Sequence, residues 1–299
     1  MPWAFVLIWS TGFVVARLAM PHSPPFSFLS ARFALSILCF AVWIALARAR
    51  WPRRRAQWGH LAMTGVLMQA GYLGGVWSAV KAGVGAGTVA LLVGLQPVLT
   101  AFWITARASR DAGAVRLPGR QWLGLFLGFA GLSFVVWPKL GTGEMTPGNL
   151  ALAVVALLSI TTGTLYQKRF VEPCDVRTAS AVQMLAGLVV CAPLAWLEPE
   201  AMDWHVNLVA AMAWSVGVLT LGGSTLLYLL IQRGEATAVT SLLYLVPPCT
   251  ALMAWTLFGE VLTPPMMLGM AFTVIGVAIV VRNPRRAPTP VAPQEEFSR

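Results

Sequence analysis

Thr88–Trp103, TVALLVGLQPVLTAFW, reads as an apolar helix with Gly94, Gln96 and Pro97 near its centre. Ala238–Trp255, AVTSLLYLVPPCTALMAW, repeats its spacing 150 positions later: Val89 matches Val239, Leu92 matches Leu242, Pro97 matches Pro247, and Thr100-Ala101 matches Thr250-Ala251. The chain therefore reads as an internal duplication. A proline inside a helix removes one amide donor and displaces the carbonyl four residues back, here Val93 in one copy and Leu243 and Tyr244 in the other. Hydrocarbon cannot satisfy a freed carbonyl, so an interrupted helix at membrane depth must be covered by protein or line a wet cavity. Matched interruptions in two halves of a chain point to a binding site between them. Gly94, Pro97, Pro247 and Pro248 form the expected hinge.

Composition supports a membrane setting for these segments. Of 299 residues, 58% are apolar and only 11% charged, against roughly 25% charged in ordinary globular chains. Apolar runs of span length fall at about 3–20, 28–47, 58–80, 86–106, 119–137, 148–168, 177–196, 206–231, 236–258 and 264–282, each near the ~20 residues that cross the hydrocarbon. The first run begins almost at Met1 without a charged leader, so it reads as a span rather than a cleaved signal. The expected fold is an all-α integral membrane protein with ten transmembrane helices.

The net charge of +10 is distributed by loop. Arg48, Arg50, Arg53, Arg54 and Arg55 follow span 2, Arg107, Arg110, Arg116 and Arg120 follow span 4, and Lys168, Arg169 and Arg177 surround the exit of span 6. Arg233 follows span 8, Arg282, Arg285, Arg286 and Arg299 follow span 10, and the intervening loops hold Lys81 and Lys139. An excess of Lys and Arg marks cytoplasmic loops, which puts both termini inside. The charge is topological, so the expected partners are the lipid bilayer and a small-molecule substrate, with no nucleic acid. Oligomeric state stays open, a monomer being compatible.

Further pairs repeat at offsets of 145 to 151 residues: Thr11-Gly12 with Thr162-Gly163, Arg17 with Lys168, Ser30-Ala31-Arg32-Phe33 with Ala181-Val182-Gln183-Met184, and Gly124 and Gly131 with Gly269 and Gly276. Five spans per copy is an odd number, so the second copy enters the membrane upside down. The expected organisation is a first repeat over 1–140, an external linker over 141–147, a second inverted repeat over 148–282 and a disordered cytoplasmic tail over 283–299 rich in proline and charge.

Chemistry is narrowed by what the spans lack. Asp111, Glu144, Glu172, Asp175, Glu198, Glu200, Asp203, Glu235, Glu260, Glu295 and Glu296 all fall in loops, tails or span ends, which argues against a buried carboxylate as proton carrier. His22, His60 and His205 sit at span edges, where a lone histidine is ordinarily solvated. Cys39, Cys174, Cys191 and Cys249 have no paired spacing, and no acid pair, HExxH or Ser–His arrangement appears. No catalytic residue, metal or cofactor is expected. What remains at depth is neutral and aromatic. Ser159, Thr162, Gly163 and Tyr166 share a face of span 6, Gln69 and Tyr72 a face of span 3, Thr225 and Tyr228 a face of span 8, and Ser241 and Tyr244 a face of span 9. Hydroxyl and small residues also pack membrane helices together. With Trp9, Trp214, Thr11 and Gln96, they would line a path for a small amphipathic ligand. Its binding residues are expected among Trp9, Thr11, Gln69, Tyr72, Gln96, Thr162, Tyr166, Tyr228, Ser241 and Tyr244. Arg17 and Arg32, near the external side, either snorkel to the headgroups or attract a substrate carboxylate.

Trp9-Ser10-Thr11-Gly12-Phe13 with Arg17, Arg32, the run Gly163–Arg169, Pro247 through Phe258-Gly259-Glu260, and then Gly269 and Gly276 resemble both halves of an EamA-type transporter of the drug/metabolite transporter (DMT) superfamily, over residues 3 to 282. The resemblance implies ten helices in two inverted repeats around a cavity formed by spans 1, 3, 4, 6, 8 and 9. The resemblance further implies a carrier of small metabolites, commonly an exporter of amino acids, similar to the YddG-like aromatic amino acid exporters. Two departures stand out: Ser109-Arg110 occupies the place matching Gly259-Glu260, and span 1 lacks the glutamate by which four-helix multidrug members couple drug exchange to protons. The resulting expectation is a carrier of the bacterial inner membrane, exporting or facilitating neutral and aromatic amino acids by rocking spans 3–4 and 8–9. Efflux of other metabolites or drugs, with or without proton coupling, is the alternative, and a membrane enzyme is less favoured.

Overall fold

The computed structural model describes residues 2–100, 102–103, 119–142, 145–223, 225–226 and 245–281. Among them the chain is helical, without strands. Helix α1 is Pro2–Ala19, α2 Pro25–Ala47, α3 runs over 55–81, α4 is Ala86–Val93, α5 Gly119–Thr142, α6 Pro147–Phe170, α7 Val176–Trp196, α8 covers 206–223, α9 is Val246–Phe258 and α10 Pro264–Val281. The α2, α6 and α7 helices are each long and apolar enough alone to cross a membrane. Several helices start on proline, which loses nothing where the first-turn amides have no partner. At α6, Thr146 accepts from the Asn149 amide at 3.3 Å while the Asn149 side chain accepts from the Thr146 amide at 2.8 Å, a reciprocal cap.

The pairs α2–α7, α4–α9 and α5–α10 run antiparallel. Phe26 lies beside Glu198, Phe33 beside Gly187 and Arg50 beside Thr178 along α2 and α7. Gly87 lies on Ala251 and Ala86 on Glu260 along α4 and α9. On α5 and α10, Gly131 faces Gly269 and Gly124 faces Gly276. The remaining main contacts pair α3 with both α6 and α7, and α1 with both α8 and α9. One buried apolar cluster threads α1–α9, Val136 of α5 included, and a second joins α5 and α10 to α4 and α9 through Leu91, Val135, Ala251 and Met266.

Both α3 and α8 contain a π-helical segment, Val66–Leu73 and Ser215–Gly222, 149 positions apart. Hydropathy predicts plain helices there. A π turn requires one extra residue but no diagnostic residue type, and such turns favour functional sites.

At the loop before α7, Asp175 caps the helix by accepting from the Arg177 amide at 3.0 Å and pairs with the Arg177 guanidinium at 2.6 Å. These hydrogen bonds hold its carboxyl below the ordinary value of about 3.9. A carboxylate with a depressed folded-state pKa stabilises above its unfolded pKa and loses that contribution as pH falls through the folded value. Asp175→Ala should therefore destabilise by ~1 kcal/mol at pH 7. The gap to the parent should narrow in thermal melts of purified protein below pH ~4.

Candidate functional site

The two interrupted stretches meet. Helix α4 stops at Val93, turns through Gly94 and Leu95, and helical geometry resumes at Gln96. Pro97 thus sits in the first turn of a new segment rather than inside a bent helix, and Pro247 and Pro248 likewise occupy the first turn of α9. At Pro97 the expected interruption is therefore a turn between two helical segments, while residues 227–244, ahead of Pro247, lie outside the described residues. The physical reason is that a turn places proline where no intrahelical donor is needed. The Gly94 amide still reaches the Ala90 carbonyl at 2.8 Å, and the Val98 and Leu99 amides converge on the Leu95 carbonyl at 3.0 and 3.1 Å. A methyl group at Gly94 would lie 2.8 Å from Cγ of Pro247, so the glycine of one copy admits the proline of the other. One turn further, Gln96 Nε2 donates to Thr164 Oγ1 of α6 at 2.9 Å.

A second convergence lies between α2 and the two π segments. Arg32 is 8% exposed and Tyr72, on the π segment of α3, is also 8% exposed. The two groups lie within electrostatic range of each other. An Nη2 hydrogen of Arg32 is donated to Thr220 Oγ1 on the π segment of α8 at 3.4 Å, while the Thr220 hydroxyl donates to the Ser215 carbonyl at 2.9 Å. The Arg32 Nε has no partner, nor have the buried hydroxyls of Ser36, one turn along α2, and Ser215. Among the described residues no carboxylate lies within ion-pair distance of Arg32. Its burial removes the snorkelling alternative.

The other expected positions separate. Thr11 accepts from Trp214 Nε1 at 2.9 Å, joining α1 to α8, and Trp9 is part-exposed against Phe5. Gln69 packs its Cβ against Gly187 of α7. The face proposed for α6 divides: Ser159 and Gly163 pack on α3, whereas Thr162 is exposed beside Val155 and Leu158 and bonds back to the Leu158 carbonyl. Tyr166 bonds His60 at 2.9 Å near the other end of the bundle. Tyr228, Ser241, Tyr244 and Ser109-Arg110 lie outside the described residues.

Arg17 is already engaged at a helix end. Gly259 closes α9 with φ +67°, a left-handed turn that glycine adopts without strain. That turn delivers Glu260 to the start of α4, where its carboxylate accepts from the Ala86 amide at 3.0 Å and lies 3.9 Å from Arg17 Nε. Gly85 leaves the room, since a methyl there would meet Glu260 Oε2 at 2.7 Å. Beside this group a cleft of about 440 Å³ is bordered by Arg17, His22, Asn207 and Phe258. On the same side Glu198 accepts from the Phe26 and Ser27 amides at 2.9 and 2.8 Å, capping α2 from α7. His22 stacks on His205 at 4.3 Å and meets Asp203 at 3.3 Å. Neither glutamate cap was legible, because a loop acid looks solvated until its partner is known.

A family model matches the chain twice, over residues 3–137 and 148–282: the EamA-like transporter family. The chain belongs to that family. It is similar along most of its length to the "Uncharacterized inner membrane transporter YedA" of Escherichia coli (strain K12), 26% identical over 93% of this chain and 88% of the relative. Bacillus subtilis (strain 168) has the "Uncharacterized transporter YvbV", 24% identical over 92% and 88%. The "Probable amino-acid metabolite efflux pump" of Salmonella typhimurium (strain LT2) is 23% identical over 92% of each chain. A solved crystal structure shares the fold with a TM-score of 0.60 at 18% identity, covering 94% of this chain and 95% of that one. This EamA-family chain is accordingly a multi-pass membrane protein of a transporter family.

Proposed function

We propose that this protein is a secondary carrier of the bacterial inner membrane that exports or facilitates passage of neutral and aromatic amino acids by alternating access. The observation that carries the reading is the crossing of the break at Gly94 with the proline-led start of α9 at Pro247. Broken helices at a repeat interface are where secondary transporters hold substrate and where one bundle pivots on the other. The efflux pump named for the Salmonella relative supports amino acids as the substrate class. In this reading ten spans form two inverted five-helix repeats, 1–140 and 148–282, joined externally by 141–147, with both termini and the tail 283–299 in the cytoplasm.

Substrate polar groups would meet the carbonyl of Val93, which has no amide four residues on, together with Gln96 beside it. Aromatic side chains such as Trp9 would cover its apolar part.

The test is counterflow in liposomes holding purified protein, preloaded with unlabelled phenylalanine, threonine, methionine or a sugar, with labelled uptake followed in the absence of an ion gradient. Uptake of amino acids alone is expected. Uptake restricted to the sugar, or none without an imposed proton gradient, would overturn the proposal. In the same assay Pro97→Ala with Pro247→Ala should slow exchange roughly tenfold, because alanine supplies the amides that let each helix close its break.

A further inference from the structure

We propose that Arg32, flanked by Tyr72 and Thr220 between the two π segments, is the anchor for the carboxylate of the transported molecule. The inference rests on the carrier reading above and names which part of the substrate this site takes.

Three observations converge on it. Arg32 is buried, no carboxylate among the described residues lies within ion-pair distance of it, and a lone charge inside a membrane helix is costly. Its Nε–H is left without an acceptor, and its Nη2 contact to Thr220, at 3.4 Å, is long for a hydrogen bond. A carboxylate has two oxygens spaced to accept from the Nε and Nη hydrogens together, the geometry in which arginine binds best. Thr220 does not compete for that role, since its oxygen offers only one acceptor. The buried hydroxyls of Ser36 and Ser215, also without partners, add neutral donors on α2 and α8.

Charge counting sets the ligand class. One guanidinium among hydroxyls balances one negative charge. The single carboxylate of a monocarboxylate or of an amino acid matches the guanidinium, the ammonium of an amino acid being left to acceptors away from Arg32, whereas a phosphate monoester would carry uncompensated negative charge into the site. Arg17 is a poorer candidate because Glu260 already faces it.

The site also spans the halves. Arg32 and Tyr72 come from the first half and Thr220 from the second, and both of the latter stand on π turns. A carboxylate held there would bond to both halves at once and so report which way they are turned. That is the property a carrier needs of its substrate: differential affinity for its conformations.

The experiment uses the full chain in detergent and two probes that share a phenyl ring, 3-phenylpropionate with a carboxylate and phenethylamine with an ammonium. At about ten times its Kd, the carboxylate should raise the parent's melting midpoint by roughly 2–4 °C and the amine by much less. Arg32→Gln should abolish the difference. Arg32→Lys, which keeps the charge and loses the fork, should bind the carboxylate about tenfold more weakly and covers the case in which the glutamine variant fails to fold. Equal shifts for the two probes, no shift in the parent at tens of millimolar, or unchanged carboxylate affinity in Arg32→Lys would each overturn the anchor. Phenylalanine counterflow with an unaltered KM in Arg32→Lys sinks the anchor and leaves the carrier standing. A carboxylate shift without amino acid counterflow does the reverse.

Discussion

Gly94→Leu should purify as a folded protein and exchange substrate 5- to 150-fold more slowly than the parent in liposomes. The crossing of α4 and α9 leaves no room for a side chain at this position: even a methyl group would sit 2.8 Å from Pro247 and 3.1 Å from the Leu91 carbonyl. Overpacking of this kind costs about 1–3 kcal/mol. If the strain falls on one arrangement of the crossing, the balance between arrangements shifts by the same amount, which is roughly 5- to 150-fold. Gly94→Ala should give the lower end of that range. An exchange rate within twofold of the parent for Gly94→Leu would show that the crossing is not where the carrier moves.

A larger loss, of the protein itself, is expected at the α5–α10 seam. A methyl at Gly131 would lie 2.5 Å from the Gly269 carbonyl oxygen, and one at Gly269 the same distance from the Gly131 carbonyl. Both neighbours are backbone, so neither can rotate away, and only separation of the helices relieves the clash. Membrane helices associate through close contact of this kind, because lipid is as apolar as leucine and burial supplies little drive. Gly131→Leu and Gly269→Leu should each abolish the monodisperse peak on size-exclusion chromatography. Gly59→Ala, where nothing lies within 4 Å, should not alter it. A monodisperse Gly131→Leu would mean that the seam opens freely and contributes little to folding.

How much of this could be read from the chain depended on whether a residue carries its own signal. Hydropathy located the helices because each must cover its own backbone bonds in lipid. The interruption at Gly94–Pro97 was legible because proline has no amide wherever it stands. Its form was not: whether a helix bends around proline or ends and restarts depends on the turn before it. The face assigned to α6 joined residues three and four apart, yet these diverge to opposite sides of the stripe, so Ser159 and Gly163 turn to α3 while Thr162 turns out. Arg32 and Tyr72 stood out singly. Their meeting with Thr220 needed the π segments, which no residue type announces. Ser36 and Ser215 gave no signal of their own, Thr164 stood only within the run Gly163–Arg169, and His60 read as a solvated span-edge histidine, because the partners of the last two, Gln96 and Tyr166, lie far along the chain.

The acceptor for the Ala86 amide, Glu260, comes 174 residues after it, and the acceptor for Phe26, Glu198, comes 172 residues after that residue. Synthesis runs from the first residue to the last. Helices α2 and α4 are therefore made, and enter the bilayer, before the side chains that finish their first turns exist. The early half waits at those two ends on water or lipid headgroups, and each end is completed only as the late half is threaded in beside it.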